Sequence, residues 1–295
     1  MSGNTFDFSV VIPTYSRPND LARCLESLTG QDYPRERFEV LVSDDESYPP
    51  AADVCRAFEN RMNVRVERHA RAGPAVARNR GASRASGRWL AFIDDDCSAD
   101  PGWLRCLERG LVSAPGAAVG GHTMNAVTGD LFAEATQAIV DYLYDVSNLI
   151  PQRAGFLNGN NLALPLDDFH AVGGFRGSLS RPGGEERLFL RRWLEEGRVS
   201  IFLPEAKVFH HHRLDLRSYW SQHINYGMGA AILRRHASAE QRSVMPKPDY
   251  YLHLLVSPFA RHRVVKAAAL SALIMLAQVA TLAGSVSVTR RHAGI

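Results

Sequence analysis

Lysine is nearly missing from this chain. It stands only at Lys207, Lys247 and Lys266 in 295 residues, so arginine carries almost all the positive charge. The arginines are scattered and the net charge is only +3. No basic stripe runs along any segment, so a nucleic-acid partner is not expected. Cysteine is scarce too. Cys24, Cys55, Cys97 and Cys106 form no Cys-x-x-Cys pair and no disulfide framework. The expectation is reduced, mostly buried thiols in a cytosolic domain. No Gly-x-Gly-x-x-Gly follows a first strand, which argues against a dinucleotide oxidoreductase. A nucleotidyltransferase would need a glycine-rich basic loop there, and the chain reads Pro13-Thr14-Tyr15-Ser16-Arg17-Pro18. Internal repeats and low-complexity linkers are absent. The N-terminus enters a strand within the first ten residues, so no signal peptide is expected.

What is present begins with apolar content of 45%, enough for a substantial core in one large domain plus an appendage. Residues 90–97 read Leu-Ala-Phe-Ile-Asp-Asp-Asp-Cys, an apolar run that ends in three carboxylates. In an extended segment alternate residues share a face, so Asp94 and Asp96 are expected on one side and Asp95 on the other. Adjacent carboxylates repel unless a cation or hydrogen-bond donors offset them. Hard oxygen ligands suit Mg²⁺ or Mn²⁺, often shared with substrate phosphates. The alternative is an acidic turn or helix cap before Pro101.

The context favours a ligand site. Ser9-Val10-Val11-Ile12 is a short apolar strand closed by Pro13, and Leu21, Leu25 and Leu28 then recur at helical spacing. Phe38-Glu39-Val40-Leu41-Val42 runs into Ser43-Asp44-Asp45-Glu46-Ser47. Gly73-Pro74 opens a helix that leads into the strand at residues 89–93. Strands ending in acids and alternating with helices predict a largely parallel α/β sheet. Ligands of such sheets sit beyond the strand carboxyl ends, where three polar clusters converge here.

These segments, with Ala77-Arg78-Asn79-Arg80-Gly81, Asn158-Gly159-Asn160-Asn161, Val172-Gly173-Gly174-Phe175 and Gly184-Glu185-Glu186, resemble the family-2 class of inverting glycosyltransferases. Their order and spacing are together specific and cover roughly residues 8–235. The resemblance implies the GT-A fold: a Rossmann-like α/β domain with a mostly parallel sheet flanked by helices. It implies metal-dependent transfer of a sugar from a nucleotide-diphosphate sugar to an acceptor hydroxyl. Cell-envelope glycans, glycolipids and specialised metabolites are the expected acceptor classes. A non-catalytic sugar-nucleotide-binding homologue and a sugar nucleotidyltransferase are the alternatives.

Carried onto this chain, the resemblance places Pro13, Thr14, Tyr15, Arg17, Asp44, Asp45, Arg78, Asn79, Asp94 and Asp95 around the donor. Asp94, Asp96 and His210 are the expected ligands of Mn²⁺ or Mg²⁺, His210 being chosen from the run His210-His211-His212. Gly159, Asn160, Asn161 and Trp193 fall on the acceptor side. Family members usually carry Glu-Asp where this chain has Glu185-Glu186. Glu186 is therefore the expected general base, with Glu185 as its substitute. From residue chemistry alone, both acids also suit the first turn of a helix, whose dipole favours them. The stretch from Arg176 to Gly184 has a composition suited to a loop that closes over bound nucleotide.

The C-terminal part is helical in pattern. Leu216, Tyr219, His223, Ile224 and Gly227 share a helical stripe. Processive relatives carry Gln-x-x-Arg-Trp here. Gln222-His223-Ile224-Asn225-Tyr226 departs from it and predicts transfer of one sugar. Residues 267–288 carry no charge. At ~1.5 Å per residue such a helix is long enough to cross a bilayer, and a helix packed on protein is the alternative. The expected organisation is a catalytic domain over 1–213, an amphipathic extension over 214–263 and a candidate membrane helix over 264–295. Nucleotide sugars are cytosolic, so the catalytic domain is expected at the cytoplasmic face of the membrane.

Overall fold

The computed structural model describes residues 6–150, 152–176, 184–235 and 248–292. The chain divides into two compact units. One comprises Met1–Ala126, Ser147–Ser180 and Glu185–His211, the other Val127–Val146, Arg181–Gly184 and His212–Ile295. This differs from the expected boundaries in assigning residues 127–146 to the C-terminal unit. Ala135 in that segment joins Tyr219, Leu254 and Leu270 in one apolar cluster, a partnership that local sequence does not show.

In the first unit, β1 (Phe6–Thr14), β2 (Phe38–Asp44), β3 (Val64–Arg68), β4 (Gly87–Phe92), β5 (Cys97–Ala99), β6 (Ala118–Asn125), β7 (Leu162–Pro165) and β8 (Ser200–His210) form one sheet in the order β3-β2-β1-β4-β7-β6-β8-β5. β3, β2, β1 and β4 run parallel, as do β6 and β8. β7 is antiparallel to β4 and β6, and β5 to β8. The helices of this unit are α1 (Pro18–Thr29), α2 (Ala51–Cys55), α3 (Pro74–Ser83), α4 (Trp103–Ser113), α6 (Leu166–Ala171) and α7 (Glu185–Glu195); the second unit holds α5 (Leu131–Ser147), α8 (Leu216–Arg235), α9 (Pro248–Val256) and α10 (Val264–His292). A mixed, mostly parallel sheet flanked by helices is the expected fold class.

The central strands are apolar on both faces because helices cover both. Val10, Ile12, Val40, Val42, Trp89 and Ala91 enter one core cluster with Leu21, Leu25 and Leu28 of α1. Their neighbours Val11, Leu41, Leu90 and Phe92 enter the other, with Phe169, Phe189 and Trp193. This alternation is the strand period of two expressed as packing. Phe92 lies 5.4 Å from Phe169 and 5.2 Å from Phe175, ring centre to ring centre. Truncating it to alanine would cost about 3–5 kcal/mol. In the segment that carries Asn158-Gly159-Asn160-Asn161, only Leu162–Pro165 is extended, and the polar stretch before it lies outside the strand.

Candidate functional site

Three strand ends build the site. β1 delivers Thr14, β2 delivers Asp44 and Asp45, and β4 leads into the acidic triplet. Thr14 Oγ1 donates to Asp95 Oδ2 at 2.7 Å, which ties the first and third together.

The triplet is a turn and not a continued strand. The Cys97 amide donates to the Asp94 carbonyl at 3.1 Å. The expectation that Asp94 and Asp96 share one face is therefore corrected: a turn rotates successive side chains instead of alternating them. Asp94 Oδ1 accepts from Arg78 Nη2 at 2.5 Å. Asp95 and Asp96 share Arg17, whose Nη1 lies 3.2 Å and 2.8 Å from them. Asp96 Oδ1 is also 3.3 Å from His210 Nε2. Burial, reinforced by the charge of Asp96, pushes the Asp95 carboxyl up to about 7 against the pull of Arg17 and Thr14. Burial works against a charged His210, but Asp96 prevails and its pKa is raised.

The β2 acids divide their work. Asp44 is fully buried, and its two oxygens accept from the Ser47 and Ala51 amides at 2.7 and 3.1 Å. Both help to turn the chain into α2, a structural task for Asp44 that its expected role at the donor did not include. Asp45 accepts from the Ala72 and Gly73 amides, both at 2.8 Å, and lies 3.5 Å from His69 Nδ1. Gly73 has φ +90°, which permits the turn into Pro74 at the start of α3.

Arg78 projects from α3 and is 6% exposed. Its Nη2 bonds Asp94, and its Nη1 lies 3.2 Å from Glu185 Oε1 on α7. Burial opposes the guanidinium charge, yet Asp94 and Glu185 raise its pKa. Its Nε is buried and has no hydrogen-bond partner among the described residues. Asn79, the next residue, spends its amide on the backbone: Nδ2 donates to the Phe175 carbonyl and Oδ1 accepts the Phe175 amide. It fastens α3 to the loop after α6 and is not a free donor-side group.

Glu185 is buried, while Glu186 is half-buried at the start of α7. Burial, then repulsion from Glu185, holds the Glu186 carboxyl up at about 7. A Cβ added to Gly159 would stand 3.2 Å from Glu186 Cβ, so the turn at Gly159 abuts this acid. Asn160 Oδ1 accepts from Thr123 at 2.8 Å. Asn161 is fully buried, accepting from Trp103 Nε1 at 2.9 Å and donating to the Ala206 carbonyl at 2.8 Å. Trp193 is also fully buried, donating to the Val199 carbonyl at 2.7 Å. Asn161 and Trp193 are therefore framework, with no surface left for an acceptor. The expected closing loop lies outside the described residues over 177–183.

Two neighbours escaped sequence reasoning. Arg71 stacks 4.0 Å from the centre of the exposed Tyr15 ring and donates to its hydroxyl at 3.0 Å. His69 shares a 2.7 Å hydrogen bond with Ser43 Oγ. Both follow β3, whose sequence carries no polar motif to mark them. Within the histidine run, His210 faces Asp96 while His211 bonds Ser98 Oγ at 2.8 Å.

The chain has relatives. The family model for Glycosyl transferase family 2 matches residues 9–179. Glycosyltransferase AglE of Haloferax volcanii is 36% identical over 114 residues, 38% of this chain and 36% of the relative. The pre-mycofactocin glycosyltransferase of Mycobacterium tuberculosis is 28% identical over 77% of this chain and 47% of the relative. The chain thus spans roughly a third to a half of these curated relatives. Among solved structures, the mannosyltransferase PcManGT from Pyrobaculum calidifontis, in complex with GDP-Man and Mn²⁺, superposes with a TM-score of 0.64 at 18% identity, covering 94% of this chain and 87% of that one. S. aureus TarS 1-349 with UDP-GlcNAc gives 0.57 at 17% identity, covering 98% and 92%. At those identities the likeness is one of fold, a GT-A-like mixed sheet. The family match covers more than half of the chain and takes in the strand ends that assemble this site: the chain belongs to glycosyl transferase family 2.

Proposed function

We propose that this chain moves one sugar from a nucleotide-diphosphate sugar to an acceptor hydroxyl, with inversion at the anomeric carbon. One observation carries the reading. Buried Arg78 bonds Asp94 on one side and Glu185 on the other, so a single cation links the strand-end acids to the helix that presents Glu186. Nucleotide-sugar ligands in the two structural neighbours support the donor class.

Thr14, Tyr15 and Asp45 would line the base and ribose, with Arg71 stiffening Tyr15. The unpartnered Arg78 Nε is a donor suited to a phosphate or sugar oxygen. The acids also suit a divalent cation. Asp96 and His210 offer ligand atoms within 4.8 Å of one another, and oxygen plus imidazole donors fit Mn²⁺ or Mg²⁺. Asp96 and His210 would hold it; once bound, the ion would supply positive charge for the departing diphosphate.

Glu186 then takes the acceptor proton. The freed oxygen forms its bond to the anomeric carbon on the face opposite the diphosphate, and the carbon–diphosphate bond breaks with its electron pair leaving on oxygen. A carboxyl held near 7 is matched to this task at neutral pH. The catalytic unit would work at the cytoplasmic face of a membrane, where nucleotide sugars are available. The test is acceptor-dependent release of nucleoside diphosphate. Glu186→Gln should lower it roughly 10²–10⁴-fold with donor affinity retained. If Glu185→Gln shows that loss and Glu186→Gln does not, the roles exchange. Donor binding with no release by the wild type would favour a non-catalytic binder.

A further inference from the structure

The long helix α10 is apolar twice over. Leu270, Ile274 and Ala277 are buried against Tyr219, Leu254 and Ala135. On the other side Val265, Ala272, Met275, Val279, Leu282 and Val286 recur every three, four or seven residues and are all exposed. Val265 is 85% and Leu282 65% exposed. An uninterrupted apolar stripe of about 32 Å is far from the usual surface of a soluble helix.

A bilayer span does not fit its packing. α8 lies along α10 at close range: an added Cβ on Gly227 would meet the Thr281 carbonyl oxygen at 1.9 Å, and one on Gly284 the Ile224 carbonyl oxygen at 2.1 Å. Tyr219 Oη also donates to the Leu273 carbonyl. From Tyr219 with Leu273 to Arg234, whose Nη2 donates to Ser285 Oγ at 2.9 Å, the contacts advance together along both chains, so the two helices run parallel. If α10 crossed a bilayer, α8 would cross with it and residues 236–263 would have to cross back. Those residues include Glu240, Arg242, Lys247, Asp249, Arg261 and Arg263. α8 would also carry His223 into hydrocarbon, its buried Nε2 without a partner among the described residues.

We infer that α10 lies along, not across, an anionic bilayer surface and sinks its exposed stripe into it. Charge selects this occupant over a second copy of the chain. No acidic residue follows Asp249, and Arg263, Arg290 and Arg291 bracket the stripe in sequence. Arg261 and Lys266 are already paired, with Asp141 and Glu134. Stripe-to-stripe dimers would bring like charges together in either orientation, whereas anionic headgroups would neutralise both ends. The inference rests on the membrane location proposed above and not on sugar transfer.

The test uses the full chain and phosphatidylcholine vesicles with and without phosphatidylglycerol. Flotation should show binding strengthened by the anionic lipid. Val279→Glu with Leu282→Glu should weaken it by at least about tenfold, since both positions would enter the apolar layer. Circular dichroism of the variant checks folding. A fluorophore at Val265→Cys, Val279→Cys or Val286→Cys, in a Cys106→Ser background, should show one shallow depth with lipid-borne quenchers. A deep label at 279 between shallow ends would overturn the in-plane arrangement in favour of a span. Failure to bind either vesicle would overturn the proposal, and a dimer that the glutamate pair dissociates would assign the stripe to a second copy. Thermal shift by nucleotide sugar is read in parallel. Its loss with vesicle binding intact refutes the donor site alone.

Discussion

Replacing Arg78 by methionine keeps most of the aliphatic bulk and removes the charge. The guanidinium is 6% exposed and holds Asp94 at 2.5 Å and Glu185 at 3.2 Å. Breaking a buried pair by removing one partner costs about 3–5 kcal/mol, because the abandoned charge has lost both its partner and water. Asp94 retains 27% side-chain exposure and can recover some hydration, but Glu185 retains 6% and cannot. The loss should therefore come mainly from Glu185. Adding Glu185→Gln to Arg78→Met removes the stranded charge and should return about 1–3 kcal/mol. In a unit of this size a loss of 3–5 kcal/mol lowers the midpoint by about 6–20 °C. Tryptophan fluorescence during heating suits the measurement, since Trp89, Trp103 and Trp193 all lie in the sheet unit. Strict additivity of the two substitutions, or a single-variant loss under about 1 kcal/mol, would refute the buried linkage.

Other outcomes follow from the same geometry. With Glu186 held at about 7, transfer should fall about tenfold per pH unit below that value and level off above it; a kcat/KM profile flat from acid to neutral pH would remove Glu186 as base. The folded state binds this proton more tightly than the unfolded chain, so the group's stabilising contribution is present at low pH and lost as pH rises through about 7. Glu186→Gln should accordingly be more stable than wild type above neutrality by about 1–3 kcal/mol, as read by denaturant titration. Gly159→Ala puts a methyl group 3.2 Å from Glu186 Cβ and should slow transfer by roughly tenfold with little change in melting temperature. Gly121→Ala would put one 1.8 Å from the Ala206 carbonyl oxygen, backbone against backbone, and should cost more than about 4 kcal/mol or prevent soluble expression.

What the sequence disclosed was local. Apolar runs stopped by Pro13, Asp44 or Asp94 marked the strand ends, and Gly73-Pro74 marked the start of α3, because these signals act within a few residues. Side-chain destinations were not local. The Asp94 turn sent three neighbouring acids to Arg78, to Thr14 with Arg17, and to Arg17 with His210. Asn161 and Trp193 lie in recognisable motifs, yet their polar atoms are consumed by Ala206, Trp103 and Val199. Arg71 and His69 reach the site only through the β2 and β3 pairing, which brings distant segments side by side. The grouping of α5 with the C-terminal helices likewise depends on apolar partners such as Leu254 and Leu270, more than a hundred residues away.

Calorimetric titration of UDP-GlcNAc and GDP-Man into the wild type and Asp96→Ala, each with and without Mn²⁺, tests the proposed donor site most directly. The account predicts saturable binding of at least one nucleotide sugar by the wild type, dependent on Mn²⁺ and lost in Asp96→Ala, whose thermal unfolding stays a single cooperative transition. Binding indifferent both to Mn²⁺ and to Asp96 would contradict it.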